Sequence, residues 1–221
     1  MFTRTSRAGT LFILNTMMKA LEVCAYENPD YRGAGFIGSH VADELIANGY
    51  HVRILDNLSP QVHGGRTTWP EYVNGEAELM RGDVRDSATV ERALRGIDAV
   101  YHFAAAVGVG QSMYEVEKYT SINNIGTAVL LEALIKKPVQ KLIVASSMSI
   151  YGEGLYANAS GQPREFAGRT LEQLKTGQWE ALDEQGNLLT PIPTPETKTP
   201  SLASVYALSK YDQERLCLMI G

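Results

Sequence analysis

Cysteine is scarce in this 221-residue sequence, with Cys24 and Cys217 the only two. They lie far apart and share no metal-ligand spacing, which excludes a disulfide framework and makes a reducing compartment, the cytoplasm, the default location. Histidine is equally sparse. His40, His51, His63 and His102 are scattered, with no common helix face, so no metal site is expected. No apolar run approaches the ~20 residues that span a bilayer. Charge of one sign is lacking too: a net charge of −5 and a pI near 5.4 argue against nucleic acid or an anionic membrane as partner. Neither repeats nor low-complexity tracts are visible. The N-terminus has no acid before Glu22, and Leu11-Phe12-Ile13-Leu14 is too short for a signal peptide. A transit peptide is one reading of that segment; an ill-defined extension is preferred.

What is present is ordinary for a folded chain: 44% hydrophobic and 20% charged residues. From residue 33 to about 150 helical and extended patterns alternate. Phe36, Ile37, Val41, Leu45 and Ile46 recur at helical spacing, and Gly49 stands where a stop belongs. His51–Asp56, Ala77–Met80, Asp98–Ala104 and Lys141–Ser146 read as strands. Ser87–Leu94, capped by Asp86 or Ser87, and a long segment Ser112–Lys137 read as helices. Strands separated by helices imply an α/β fold, a Rossmann-like doubly wound parallel sheet. Upstream of the glycines the best strand is Ala20–Tyr26, because Glu27-Asn28-Pro29-Asp30 breaks strands; the first strand is therefore expected to be degraded or atypical.

Residues 153–200 break the alternation with Gly154, Gly161, Pro163, Gly177 and Gly186, then the cluster Pro191, Pro193, Pro195 and Pro200. An insertion this long in a compact domain is read as a lid. An amphipathic helix is expected over Arg169–Leu182, with Leu171, Leu174, Trp179 and Leu182 inward. Trp179 either stacks on a base or sugar or caps the insertion's own small core.

Chemistry is concentrated in two patterns. Tyr206-Ala207-Leu208-Ser209-Lys210 puts a phenol and an ammonium four apart, on one face of a helix. A nearby cation favours the phenolate, whose unperturbed pKa is about 10, and so makes a usable base. Gly33-Ala34-Gly35-Phe36-Ile37-Gly38 opens the first helix, where glycines let the backbone approach a pyrophosphate held at the helix N-terminus. The next strand ends in Asp56, placed to accept hydrogen bonds from an adenosine ribose. Asn57 follows, with no Arg or Lys beside it to receive a 2′-phosphate, so NAD is favoured over NADP.

With these residues the sequence resembles the extended short-chain dehydrogenase/reductase family, specifically its NAD-dependent nucleotide-sugar epimerases and dehydratases. The matching stretches run in the family's order: Gly33–His40, Asp56–Ser59, Gly82-Asp83-Val84, His102–Ala106, Asn123–Thr127, Ser146–Gly152 and Tyr206–Lys210. The resemblance implies that Asp83 and Val84 contact adenine, that Ala104, Ala105 and Ala106 line the cofactor's path, and that Asn123 braces the site. The family's hydroxyl partner of the tyrosine falls on Ser147, with Tyr206 and Lys210 completing the catalytic set and Lys210 also holding the ribose. Dehydratases of the family tend to carry Asp-Glu after that serine, and decarboxylating members a Glu at the second position; here Met148 and Ser149 follow. Epimerisation at C4 of a UDP- or dTDP-hexose is thus the implied reaction, with a similarity to dTDP-L-rhamnose 4-epimerase-like members in Met148–Glu153 and around Trp179. A homodimer is compatible with it.

The implied organisation is an atypical extension over 1–32, an NAD-binding core over 33–152, the insertion over 153–200 and a catalytic helix over 201–221. The family continues past that helix into a region that holds the sugar, so the substrate region is expected to be missing. Three readings stay open: a 4-epimerase, a truncated and inactive fragment, and a dehydratase.

Overall fold

The computed structural model describes residues 19–24, 34–65, 68–166 and 168–221, with only the backbone described in 19–24. Gly33 and the segment 27–32 lie outside the described residues. Five strands form one sheet: β1 (Lys19–Cys24), β2 (His51–Asp56), β3 (Glu78–Arg81), β4 (Ala99–His102) and β5 (Lys141–Val144), in the order β3-β2-β1-β4-β5. Every pairing is parallel. The strand order reverses between β1 and β4, and at such a switch point the loops at the carboxyl ends diverge and leave a crevice. β1 lies within the stretch the sequence sets apart, yet it is the middle strand, paired from Lys19↔His51 to Cys24↔Asp56 on one side and from Ala20↔Ala99 to Val23↔His102 on the other.

Parallel strands connected through helices must bury both faces, and two apolar clusters do so. On one side α1 (Phe36–Ala47) packs Ala42 with Val52, Ile54 and Leu58. On the other, α3 (Ser87–Ala93), α6 (Gly126–Lys136) and α8 (Val205–Ile220) contribute Val90, Leu130, Leu134 and Cys217 to a cluster with Leu55 and Val100. Helix ends follow local chemistry. Gly49, at φ +83°, turns the chain after α1. Asp86 caps α3 by accepting from the Ala88 N–H at 3.1 Å. A four-residue helix, α2 (Pro60–His63), follows β2.

The expected helix over 112–137 is divided. Short helices α4 (Val109–Ser112) and α5 (Val116–Tyr119) come first, then a π-helical turn Thr120–Ile125 that runs into α6. The wider turn rotates Asn123 into the buried interior, as such turns often do near functional sites.

Residues 153–200 fold as a small unit with its own antiparallel sheet, β7-β6-β8, made from β6 (Leu155–Ala157), β7 (Pro163–Arg164) and β8 (Thr190–Ile192). The helix expected over 169–182 is a single short one, α7 (Leu171–Lys175). Thr170 and Gln173 form a capping box at its start, and Gly177 at φ +74° turns the chain away two residues past its end. Leu171 and Trp179 are 67% and 64% exposed, so the expected inward face is not formed. The unit's core is instead Tyr156, Ala181 and Leu189, with Phe166 against it.

Gly126 shows how closely α6 approaches the loop after β3. A Cβ there would stand 2.5 Å from Val84 Cγ1, well inside van der Waals contact. Gly126→Ala is therefore expected to destabilise the chain by about 1–3 kcal/mol despite alanine's higher helix propensity. Urea unfolding measures this, and an unchanged midpoint would mean that α6 has room to move.

Candidate functional site

Two groups of residues gather past the carboxyl ends of the strands. The first is built around Asp56 at the end of β2. Its carboxylate is buried and accepts from the Ala34 N–H at 2.9 Å and the Leu58 N–H at 2.7 Å, with His63 Nε2 at 3.6 Å. Asp56 thereby anchors the loop that opens α1. Tyr72 closes the same loop from outside, its hydroxyl donating to Ala34 O at 2.5 Å. Gly35 is the N-cap of α1 and offers no side chain to the first-turn N–H groups, and no acidic residue stands in that turn. Gly38 is buried on the helix's inner face, whereas Phe36 and Ile37 are exposed. Nearby, Asn57 Nδ2 donates to Asp83 at 3.5 Å, which ties the loops after β2 and β3. Arg85 binds Asp83 at 2.7 Å and holds that carboxyl below its ordinary value, more strongly than partial burial raises it. Val84, implied to meet adenine, turns its side chain into the core cluster.

The second group surrounds α8. Ser204 caps the helix by accepting from the Ala207 N–H, and Ser112 Oγ takes the Tyr206 N–H at 3.0 Å. The helix buries Tyr206, Ser209, Lys210, Gln213 and Cys217, a stripe at helical period facing β4 and the π-helical turn. Tyr206 meets Tyr119 edge-on with ring centroids 6.4 Å apart. Burial raises the Tyr206 phenol's pKa above its ordinary value, and the nearby Ser147 hydroxyl opposes that shift with a smaller effect.

Ser147 arrives beside the phenol through the backbone. It caps a 3₁₀ turn, Met148–Tyr151, and accepts from Ser149 N at 3.2 Å. The chain entering α8 is tied to that turn, with Ser201 N donating to Ile150 O at 2.7 Å and Lys198 Nζ to Tyr151 O at 3.0 Å. Ser146 is directed elsewhere, donating to Glu214 at 2.6 Å.

After β4, Ala104, Ala105 and Ala106 are fully buried. Side chains satisfy part of their backbone. Asn123 Oδ1 accepts from the Ala106 N–H at 2.6 Å, and its amide donates to Ala106 O at 3.1 Å and Ser209 Oγ at 2.8 Å. Gln213 Nε2 donates to Ala104 O at 3.0 Å and Thr127 Oγ1 at 2.8 Å. Lys210 is 1% exposed, and its Nζ donates to Gln213 Oε1 at 2.5 Å. Burial brings its pKa down to about 8, with Cys217 opposing the shift. Tyr206 and Lys210 thus share a helix face, as their spacing implies, but the ammonium is turned to Gln213 and does not lower the phenol's pKa. Sequence reasoning missed Gln213, Ser112, Thr127 and Tyr72. Gln213 alone carried a signal, seven residues past Tyr206 on the same face.

The sequence of residues 33–171 matches the model of the NAD dependent epimerase/dehydratase family. The chain belongs to this family. It is 32% identical over 188 residues to dTDP-L-rhamnose 4-epimerase of Burkholderia thailandensis, a match covering 83% of this chain and 50% of that protein. Among solved structures, UDP-glucose 4-epimerase of Thermotoga maritima, crystallised with UDP-glucose, aligns with TM-score 0.65 and 31% identity over 92% of this chain and 51% of that one. The Brucella ovis UDP-glucose 4-epimerase, in complex with NAD, aligns with TM-score 0.64 and 25% identity over 91% of this chain and 47% of that one. This epimerase/dehydratase chain spans about half the length of these relatives. No described helix is long and apolar enough to cross a membrane, and the described residues hold no cluster of three or more metal-ligating side chains.

His102, fully buried on β4 beside Thr127 and Gln213, generates a pH-dependence. Burial, and secondarily the Lys210 charge, brings its pKa down to about 3 from 6.5. Between those values the unfolded chain binds a proton that the native chain does not. Stability therefore falls as pH is lowered through 6.5, by about 1.4 kcal/mol per pH unit from this one group. His102→Asn removes that slope, so the wild-type and variant unfolding free energies should converge or cross between pH 7 and 5. Parallel pH curves would refute the assignment.

Proposed function

We propose that this chain carries the NAD site and the proton-transfer groups of a nucleotide-sugar 4-epimerase. The observation that carries the reading is the buried Tyr206 with the half-buried Ser147 hydroxyl near enough to act on it, past the carboxyl ends of the sheet, in a chain whose family is NAD-dependent. The residues fit a dinucleotide. The uncapped first turn of α1 leaves N–H groups and positive dipole for a pyrophosphate, on the order of 0.5 elementary charge. Asp56 stands at the end of β2, one strand away from the switch point, as a ribose acceptor already fixed in place by Ala34 N and Leu58 N. Gly35, Phe36, Ile37 and Gly38 open α1 and, with Gly33, would hold the pyrophosphate; Asn57, Asp83 and Val84 would serve the adenine side, and Ala104–Ala106 with Asn123 the nicotinamide side.

A bound NAD would supply reversible hydride chemistry at C4 of the sugar without net consumption. Tyr206 takes the C4 hydroxyl proton and gives it back after the 4-keto sugar has turned its other face. Ser147 hydrogen-bonds the same oxygen. Lys210, at about 8, still carries its proton at neutral pH; its ammonium faces Gln213, and on leaving that amide it would favour the phenolate and reach the ribose. Among the relatives, the Thermotoga structure holds UDP-glucose, which supports a nucleotide diphosphate hexose as substrate class. Elimination of water lacks its groups, since Met148 is 86% exposed and Ser149 carries no acid.

Titration of the purified chain with NAD, followed by tryptophan fluorescence, tests the cofactor site; no saturable binding would sink it. Addition of UDP- or dTDP-hexose to the NAD complex is expected to raise absorbance at the reduced-nicotinamide band. Tyr206→Phe should lower that rate by about 10²–10⁴-fold while leaving NAD binding in place. An unchanged rate would refute the role of Tyr206.

A further inference from the structure

We infer that Gln213 is a positioning residue that holds the Lys210 ammonium for the site. The inference rests on the proposed role of Lys210, but the geometry behind it does not. Lys210 is 1% exposed, so its charge has no water to solvate it, and one buried acceptor, Gln213 Oε1 at 2.5 Å, takes its place. The amide cannot turn over. Ala104 O accepts only, so it must face Nε2, at 3.0 Å. The second Nε2 proton goes to Thr127 Oγ1 at 2.8 Å. Thr127 in turn donates its single proton to Asn123 O at 2.6 Å, so His102 Nε2, 2.8 Å from the same hydroxyl, must be the ring's donor. The tautomer this requires leaves Nδ1 unprotonated, and Nδ1 is the ring atom with no partner among the described residues. This assignment leaves the 3.2 Å approach of Gln213 Nε2 to His102 Nε2 as a contact between two donors, and it turns the Gln213 acceptor oxygen to Lys210. His102 from β4 and Cys217 from α8 are the titratable groups that act on that ammonium, and neither hydrogen-bonds to it.

The role is distinct from packing. If Gln213 merely filled the space between α8 and β4, a methionine of similar volume would keep Lys210 as buried and leave its proton affinity unchanged. The test is a pH titration of the full chain with 13C-labelled lysine side chains, Lys210 being assigned by loss of its signal in Lys210→Arg. Removing the acceptor disfavours the charged form, so Gln213→Met is expected to lower the Lys210 midpoint by about one pH unit. Gln213→Glu keeps an acceptor oxygen and should hold the midpoint at or above the wild-type value. Gln213→Asn, one methylene shorter, cannot span from Ala104 O to Nζ and should behave like Met; it serves if Gln213→Met fails to fold by circular dichroism. An unchanged midpoint in a folded Met or Asn variant would overturn the inference, as would a lowered one in Glu. None of these readouts uses turnover, so loss of the epimerase reading through Tyr206→Phe would leave this result standing.

Discussion

The constraint on which this architecture depends is a backbone problem at the end of β4. Parallel strands finish in the interior of the crevice, and the chain leaving β4 continues as Ala104, Ala105 and Ala106 with no exposure at all. A buried N–H or C=O left without a partner costs about 1–3 kcal/mol, so each requires a partner from somewhere else. Asn123 serves both polar groups of Ala106, and Gln213 serves Ala104 O. These two amides come from the π-helical turn and from α8. Their obligations to one stretch of backbone bring those elements together over the sheet.

That solution fixes much that surrounds it. Because Asn123 also donates to Ser209, the turn and α8 are locked face to face one residue from Lys210. Because Ser112 takes the Tyr206 N–H, the start of α8 is held against α4. Small side chains at 104–106 are what allow an amide to approach the backbone so closely. Gly126 has the same function on the next turn, where a methyl would strike Val84. The segment 153–200 is joined to this centre through its two ends. Ile150 O and Tyr151 O receive Ser201 N and Lys198 Nζ, so the insertion can vary in its own small core while Ser147 and Tyr206 stay side by side.

Much of this was legible beforehand where periodicity carries the information. The strands His51–Asp56 and Lys141–Val144, the stop at Gly49 and the cap at Asp86 all follow from short-range chemistry. The insertion was misread for the same reason. Leu171, Leu174 and Trp179 have helical spacing, but a small unit has too little interior to bury such a face, and Gly177 ends the helix before the face can form. The middle strand was hard to read because its neighbours on both sides, not its own alternation, stabilise it.

The candidate site shows the limit more sharply. Tyr206, Ser147 and Lys210 could be named from residue type and spacing, yet what each side chain does was decided by partners far along the chain. Ser112 lies 94 residues from Tyr206, Thr127 lies 86 from Gln213, and His102 lies 111 from it. A Tyr-x-x-x-Lys spacing suggests that an ammonium should act directly on the phenol. In the folded chain, desolvation governs instead: the ammonium is too deeply buried to do without an acceptor, and the nearest one is an amide on its own helix rather than the tyrosine. Burial also raises the phenol's pKa, so a neutral phenol and a protonated lysine are both the resting forms at neutral pH. Proton transfer at Tyr206 then requires positive charge brought close to the ring, either by Lys210 releasing Gln213 or by a cationic group entering above Ala104–Ala106. A bound dinucleotide would provide both the charge and a ribose for Lys210. On the proposed reading, Tyr206 would therefore become a competent base only when its cofactor is in place.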